Sequence, residues 1–215
     1  MENIYCLSGL GADEKIFSKL DFKNNHVTYI QWLKPEKSES ICDYARRIAN
    51  KITLPQPVLI GISFGGMMCI EIAKLITVKK VIIISSIKTR LELPFWLKAA
   101  GWLKLNKLFP MRSFKLIEPL EDYNLGIETT EEKTMVHEYR RTIDRSYAEW
   151  AINCVLNWQN KEIPVNVIHL HGDKDRIFKI NNVNADHIIK TGGHFMVMNR
   201  AIEINKLLSD IISKA

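Results

Sequence analysis

The chain has 215 residues, 47% hydrophobic and 25% charged, with a formal net charge of +6. That length suits one domain with a sizeable core, since single domains extend to about 250 residues. The composition excludes a disordered or fibrous chain, and the modest positive charge either favours anionic substrates or simply aids solubility.

The opening Met1-Glu2-Asn3-Ile4-Tyr5 lacks the basic region, apolar run and cleavage site of a secretory leader, so a cytoplasmic protein is expected. Ile4-Tyr5-Cys6-Leu7 reads as a first strand, ending in Ser8-Gly9-Leu10-Gly11. His26 to Ile30 reads as a second. Ile41, Tyr44, Ala45, Ile48 and Ile52 then recur at helical spacing, and Ser40 with Asp43 three residues on predicts a capped start. Val58-Leu59-Ile60 is a third strand, and Gly66 to Ile76 a buried helix. Lys80 to Ile84 is a fourth strand, with a continuous apolar run that suits burial on both faces, as in a parallel sheet. Val165 to Leu170 and Asp186 to Ile189 are the fifth and sixth, and Ile204, Leu207, Leu208, Ile211 and Ile212 form a closing helical stripe. This alternation predicts a single α/β domain with helices on both sides of the sheet.

One region departs from the alternation. Between Ser86 and Glu162 no strand is read. Trp150, Ala151, Cys154, Val155 and Trp158 make a helical stripe expected to pack on the sheet. The stretch 88–145 is read as a helical insertion over the sheet's C-terminal edge, where ligands of open α/β sheets bind. Its aromatics, among them Phe95, Trp96, Trp102 and Phe109, alternate with Lys98, Lys104, Lys107, Arg112 and Lys115. Trp96 and Trp102 are candidate substrate-binding residues; the competing reading makes them the insertion's own core.

Metal and membrane classes find little support. Cys6, Cys42, Cys69 and Cys154 are scattered, without a Cys-x-x-Cys pair, and read as small core residues in a reducing compartment. No apolar stretch approaches the roughly 18 residues needed to span a bilayer. The basic residues form no recognised nucleic-acid motif.

The chemistry centres on Gly61-Ile62-Ser63-Phe64-Gly65, set between a strand and a helix. A serine on such a turn is held in a strained conformation with its hydroxyl pushed outward, and small residues two positions either side let the turn close. A serine hydroxyl needs a histidine to take its proton and an acid to orient that histidine. Of six histidines, His194 follows Thr191-Gly192-Gly193, a turn after the last strand that can reach the serine. His171-Gly172-Asp173-Lys174-Asp175 follows the fifth strand; Asp173 is expected to brace its turn and Asp175 to partner His194.

Gly61 to Gly66, His171 to Asp175 and Gly192-Gly193-His194-Phe195 together resemble the nucleophile elbow, acid loop and histidine loop of the α/β-hydrolase superfamily. The resemblance covers nearly the whole chain apart from the insertion, which would be the family's cap. It implies a catalytic set of Ser63, Asp175 and His194, with the backbone N–H groups of Leu10 and Phe64 as oxyanion donors. It implies no metal or organic cofactor and a small-molecule acyl substrate. Two departures stand out. Ser8 replaces the usual histidine before the oxyanion glycine, and the first two strands of a full member are missing, which predicts a mostly parallel sheet of about six strands. The function expected is hydrolysis of an ester or thioester of a small or medium acyl group. The second reading is a non-catalytic scaffold that binds a ligand or an anionic membrane surface through the basic, amphipathic Phe95 to Lys104.

Overall fold

The computed structural model describes residues 1–103 and 117–213. One sheet contains β1 (Asn3–Leu7), β2 (His26–Tyr29), β3 (Val58–Ile62), β4 (Lys80–Ile84), β5 (Val167–Gly172) and β6 (His187–Ile189). All its pairs are parallel, in the order β2-β1-β3-β4-β5-β6. The described helices are α1 (Ile41–Ala49), α2 (Phe64–Ala73), α3 (Phe95–Trp102), α4 (Glu118–Leu125), α5 (Thr130–Thr142), α6 (Arg145–Asn157), α7 (Met196–Asn199) and α8 (Ala201–Ser213).

The two-residue period of the strands divides the core into two layers. Tyr5, Leu7, Leu59, Val81 and Ile83 face one way, where α1, α2 and α6 cover them with Tyr44, Ile48, Met68, Ile72 and Ala151. Ile4, Cys6, Val58, Ile60, Ile82 and Ile84 face the other, under Ile204, Leu208, Ile211 and Ile212 of α8. That second layer also takes Val136 and Tyr139 from α5 and Ile16 and Phe17 from a 3-10 turn. The strands are buried on both faces, as their apolar runs predict. At the start of α1 the Ser40 hydroxyl accepts the Asp43 N–H at 3.1 Å, the expected cap.

α2 is apolar nearly all round, and every residue from Phe64 to Ile72 is buried, which suits the helix at the centre of a layer. Its one carboxylate there, Glu71, accepts the indole N–H of Trp158 at 2.8 Å and pairs with Lys74 at 2.6 Å. α2 begins at Phe64, two residues earlier than the sequence pattern indicates. β5 runs Val167–Gly172 instead of starting at Val165. Asn166 has φ 62°, and this left-handed residue interrupts the extended run and leaves Val165 exposed.

No strand occurs between β4 and β5 among the described residues. The segment read as an insertion contributes α3, α4 and α5. α3 lies on α6 so closely that a side-chain carbon at Gly101 would strike the Leu156 backbone. Lys104, Lys107, Phe109, Arg112 and Lys115 lie outside the described residues.

Candidate active site

Strand order reverses direction between β1 and β3: β2 lies on one side of β1, and β3, β4, β5 and β6 follow on the other. A crevice forms at the carboxyl ends of strands at such a reversal. Leu7 pairs with Gly61, so the loops leaving β1 and β3 emerge side by side. Gly172 pairs with Ile189, which places the loops after β5 and β6 side by side as well. All four candidate loops therefore open on one edge.

Ser63 occupies the turn between β3 and α2 with φ 52° and ψ −117°. This is unfavourable backbone for a residue with a Cβ, costing on the order of 1–3 kcal/mol. Its N–H donates to the Ile84 carbonyl at 2.9 Å, and its carbonyl accepts the Ser86 hydroxyl at 2.7 Å. These bonds hold the strained turn from the β4 side. Close packing holds it from the other: a side-chain carbon at Gly61 would strike Gly65, and one at Gly65 would strike the carbonyls of Leu7 and Ser8.

The structure brings Ser63, His194 and Asp175 into one chain of hydrogen bonds. His194 Nε2 lies 2.9 Å from Ser63 Oγ, and His194 Nδ1 lies 2.8 Å from Asp175 Oδ2. A carboxylate only accepts, so Nδ1 carries the hydrogen and Nε2 is free to accept from the hydroxyl. His194 is 7% exposed and Asp175 3%. Asp175 Oδ1 accepts the N–H groups of Ile177 and Phe178 at 2.8 and 2.9 Å. Asp175 thus braces its own loop. Asp173, expected to do so, uses its N–H toward Ile189, and its Oδ1 meets no partner among the described residues. Burial alone would push the Asp175 carboxyl up, but His194, His171 and the Phe178 N–H outweigh it and hold it below the ordinary value.

The loop after β1 lies against the serine, with Gly9 backed by the Ser63 side chain and the Ile62 carbonyl. Among the described residues, neither the Leu10 nor the Phe64 N–H donates to a backbone carbonyl. The Phe64 N–H is one of the unpaired donors at the start of α2, where the helix dipole is positive. Ser8 anchors the loop: its hydroxyl donates to the Ala12 carbonyl at 2.6 Å and accepts the Trp32 indole N–H at 2.9 Å. The Trp32 ring packs on Phe64 with centroids 5.4 Å apart. Nothing in the sequence around Trp32 marks it as a partner of this loop.

Two of the six histidines pair beneath the site, a contact the sequence does not indicate. His171 Nε2 lies 2.7 Å from the Phe178 carbonyl and 3.6 Å from Asp175 Oδ2, and its Nδ1 lies 3.0 Å from His169 Nε2. Both imidazoles are 0% exposed. Burial, with His171 and Lys88 nearby, pushes His169 down to about 2. Burial also lowers His171, against the opposing pull of Asp175. Alternating apolar residues in β5 make His169 read only as strand, and the acid-loop motif that begins at His171 gives no sign of its pairing with His169. Of the remaining histidines, His26 and His137 are exposed and His187 partly buried.

Trp96 and Trp102 stand on α3, 58% and 82% exposed. A cavity of about 430 Å³ lies at the opposite edge of the sheet, lined by Lys74, Thr77, Val78, Glu162 and Val165, and holds none of the candidate residues. Among the described residues, no group of three or more His, Cys, Asp or Glu side chains is placed to hold a metal.

The contacts of α4 are directed at the same loops. Leu125 accepts the N–H of Phe195 at 2.8 Å, and the Gly126 carbonyl accepts Asn199 Nδ2 at 3.1 Å. Arg200 forks onto Glu128 at 2.7 and 2.9 Å and also donates to Thr191 Oγ1 at 3.1 Å. Arg176, next to Asp175, donates to the Tyr123 carbonyl at 2.7 Å and stacks over its ring.

The sequence matches no family model and no curated protein. Solved structures do resemble the chain. A hydrolase from Oleispira antarctica superposes with a TM-score of 0.76 at 12% identity, covering 100% of this chain and 92% of that one. A thermophilic esterase from Thermogutta terrifontis gives 0.73 at 12% identity, covering 100% and 90%. An epoxide hydrolase from Bacillus megaterium gives 0.71 at 15%, covering 99% and 94%. At these identities the likeness speaks to the fold: the chain has the α/β-hydrolase fold, with a six-stranded parallel sheet flanked by helices.

Proposed function

We propose that this α/β-hydrolase-fold protein is a serine hydrolase that cleaves an ester or thioester of a small or medium acyl group. One observation carries the reading: the unbroken line of hydrogen bonds from Ser63 Oγ through His194 to the buried Asp175 carboxylate. In this reading Ser63 Oγ attacks the acyl carbonyl as His194 Nε2 takes its proton. The N–H groups of Leu10 and Phe64 donate to the developing oxyanion, a contribution worth about 3 kcal/mol per donor. His194 returns the proton to the leaving group, and an acyl-enzyme forms. His194 then deprotonates a water that attacks the acyl carbon, and the acid leaves as Ser63 recovers its proton. Asp175 holds the imidazole in the required tautomer and stabilises the imidazolium.

The neighbours add support at the level of reaction class. They include esterases, an epoxide hydrolase and an N-acyl homoserine lactonase. The same Ser-His-Asp set also serves lactone opening, C–C bond hydrolysis and acyl transfer, so the ester or thioester is the first substrate class to test. A panel of chromogenic esters and acyl-coenzyme A thioesters, run with wild type and Ser63→Ala in parallel, does so. Turnover lost in Ser63→Ala, together with fluorophosphonate labelling of wild type alone, is the expected result. A folded wild type that resists every such probe overturns the reading.

A second reading rests on α3. Phe95, Trp96 and Trp102 are exposed there, a pattern that suits contact with a lipid surface. In that reading the chain is a binding module without turnover. Among the described residues no helix is long and apolar enough to cross a membrane. Co-sedimentation with anionic liposomes at low and high salt separates the two: salt-sensitive binding without esterase activity favours the module.

A further inference from the structure

We propose that His171, kept neutral beside His169, is a positioning residue whose N–H edge faces Asp175 and tempers its pull on the His194 proton; the proposal deepens the hydrolase reading and rests on it. Asp175 Oδ2 faces two imidazoles, His194 at 2.8 Å and His171 at 3.6 Å. One buried carboxylate stabilises one imidazolium well. A proton on His171 would set a second positive charge beside His194 and oppose the proton transfer from Ser63.

The hydrogen bonds decide between the two rings. The Phe178 carbonyl only accepts, so His171 Nε2, 2.7 Å away, carries a hydrogen. In a neutral ring Nδ1 is then a lone pair, and His169 Nε2–H fills it at 3.0 Å. The His169 backbone N–H donates to Asp186 Oδ2 at 2.8 Å, and its ring Nδ1 meets no hydrogen-bond partner among the described residues. Both rings have 0% exposure, so a charge on either is poorly solvated. His171 is thereby kept neutral with its N–H edge toward Asp175. The Ile177 and Phe178 N–H groups hold Asp175 Oδ1, and the His171 edge lies 3.6 Å from Oδ2. An outer partner of this kind orients the residue that touches the reacting groups.

The charged and titratable groups facing the pair come from every neighbouring segment. Asp175 and His194 approach from their loops, Lys88 and Glu92 from the segment after β4, and Asp186 from the segment before β6. Loss of the His171 N–H edge leaves His194 as the sole imidazole beside Asp175. The carboxylate then holds the His194 proton more tightly.

The test follows the His194 ring by nuclear magnetic resonance across pH, assigned by its loss in His194→Gln. In His171→Phe the His194 titration midpoint moves up relative to wild type, and the acid limb of fluorophosphonate labelling at Ser63 moves with it. His171→Gln keeps an N–H near the Phe178 carbonyl and returns the midpoint to that of wild type. An unmoved midpoint in folded His171→Phe overturns the proposal. Ring-nitrogen shifts of wild type give a second measurement that needs no variant. A neutral His171 with hydrogen on Nε2 from about pH 5 to 8 supports the proposal, and a cationic or Nδ1-protonated His171 overturns it. Wild type that resists labelling while its midpoint still shifts in His171→Phe upholds the coupling and removes the hydrolase reading alone.

Discussion

His194 Nε2 stands 2.9 Å from Ser63 Oγ although 131 positions separate the two residues in the chain. A parallel sheet makes such meetings possible because all of its strands discharge their loops at one edge. The imidazole is already aligned to accept the serine proton. His194→Ala is therefore expected to lower the second-order rate of fluorophosphonate labelling by about 10⁴-fold or more, with circular dichroism unchanged. Asp175→Asn should cost about 10³ to 10⁴-fold by favouring the wrong imidazole tautomer. Full-rate labelling in either folded variant would remove the residue from the proposed mechanism.

Gly65 lies where the start of α2 presses on the carbonyls of Leu7 and Ser8. A methyl group there has no room without separating the helix from β1. Gly65→Ala is expected to destabilise by about 3 kcal/mol, read as a lower urea midpoint at unchanged slope. Labelling of Ser63 should fall with it, because the same displacement moves Leu10 away from the serine. A neutral Gly65→Ala would show that the turn yields more readily than its packing indicates.

The alternating pattern in the sequence was enough to read the sheet, because strands buried on both faces leave long apolar runs such as Val81 to Ile84. It was also enough to nominate Ser63, Asp175 and His194, since each sits in a glycine-marked loop after a strand. The supports of the site were not readable in this way. Trp32 reaches Ser8 across the crevice through one indole N–H, and His169 meets His171 only because residues two apart in a strand share a face. Such partnerships depend on rotamers and burial, which periodicity does not encode. Asn166 misled the reading of β5 for a related reason, because a single left-handed residue ends a strand without breaking its apolar pattern.

Ser8 carries a prediction about the loop proposed to supply an oxyanion donor. Its hydroxyl satisfies the Trp32 indole and the Ala12 carbonyl together. Ser8→Ala leaves both without that partner and should cost about 1–3 kcal/mol in stability. The labelling rate should fall roughly 10-fold as the Leu10 N–H loses its fixed position. Equilibrium unfolding and probe kinetics on the same preparation separate the two effects. A variant with wild-type kinetics would show that the loop is held by packing instead.

The buried histidine pair predicts early acid sensitivity. His169 is pushed down to about 2 in the folded chain and His171 is also lowered, whereas an unfolded histidine titrates at about 6.5. The folded form therefore binds fewer protons than the unfolded form between these values. Stability is full above pH ~6.5 and is lost as pH falls below it, at about 1.4 kcal/mol per unit for each such histidine. Asp175, held below the ordinary carboxyl range, adds its own loss only at lower pH, as the solution approaches its folded value. Urea unfolding at a series of pH values should show a decline that begins above the carboxylate range. His169→Gln should flatten that decline, and an unchanged slope would refute the assignment.

Tyr123, Leu125, Gly126 and Glu128 fasten the end of α4 to the segments that carry Asp175 and His194. A graft that replaced this stretch would also reset the alignment of Asp175 and His194. In the proposed mechanism a change in this stretch therefore carries through to turnover unless Arg176, Phe195, Asn199 and Arg200 keep counterparts in the new segment.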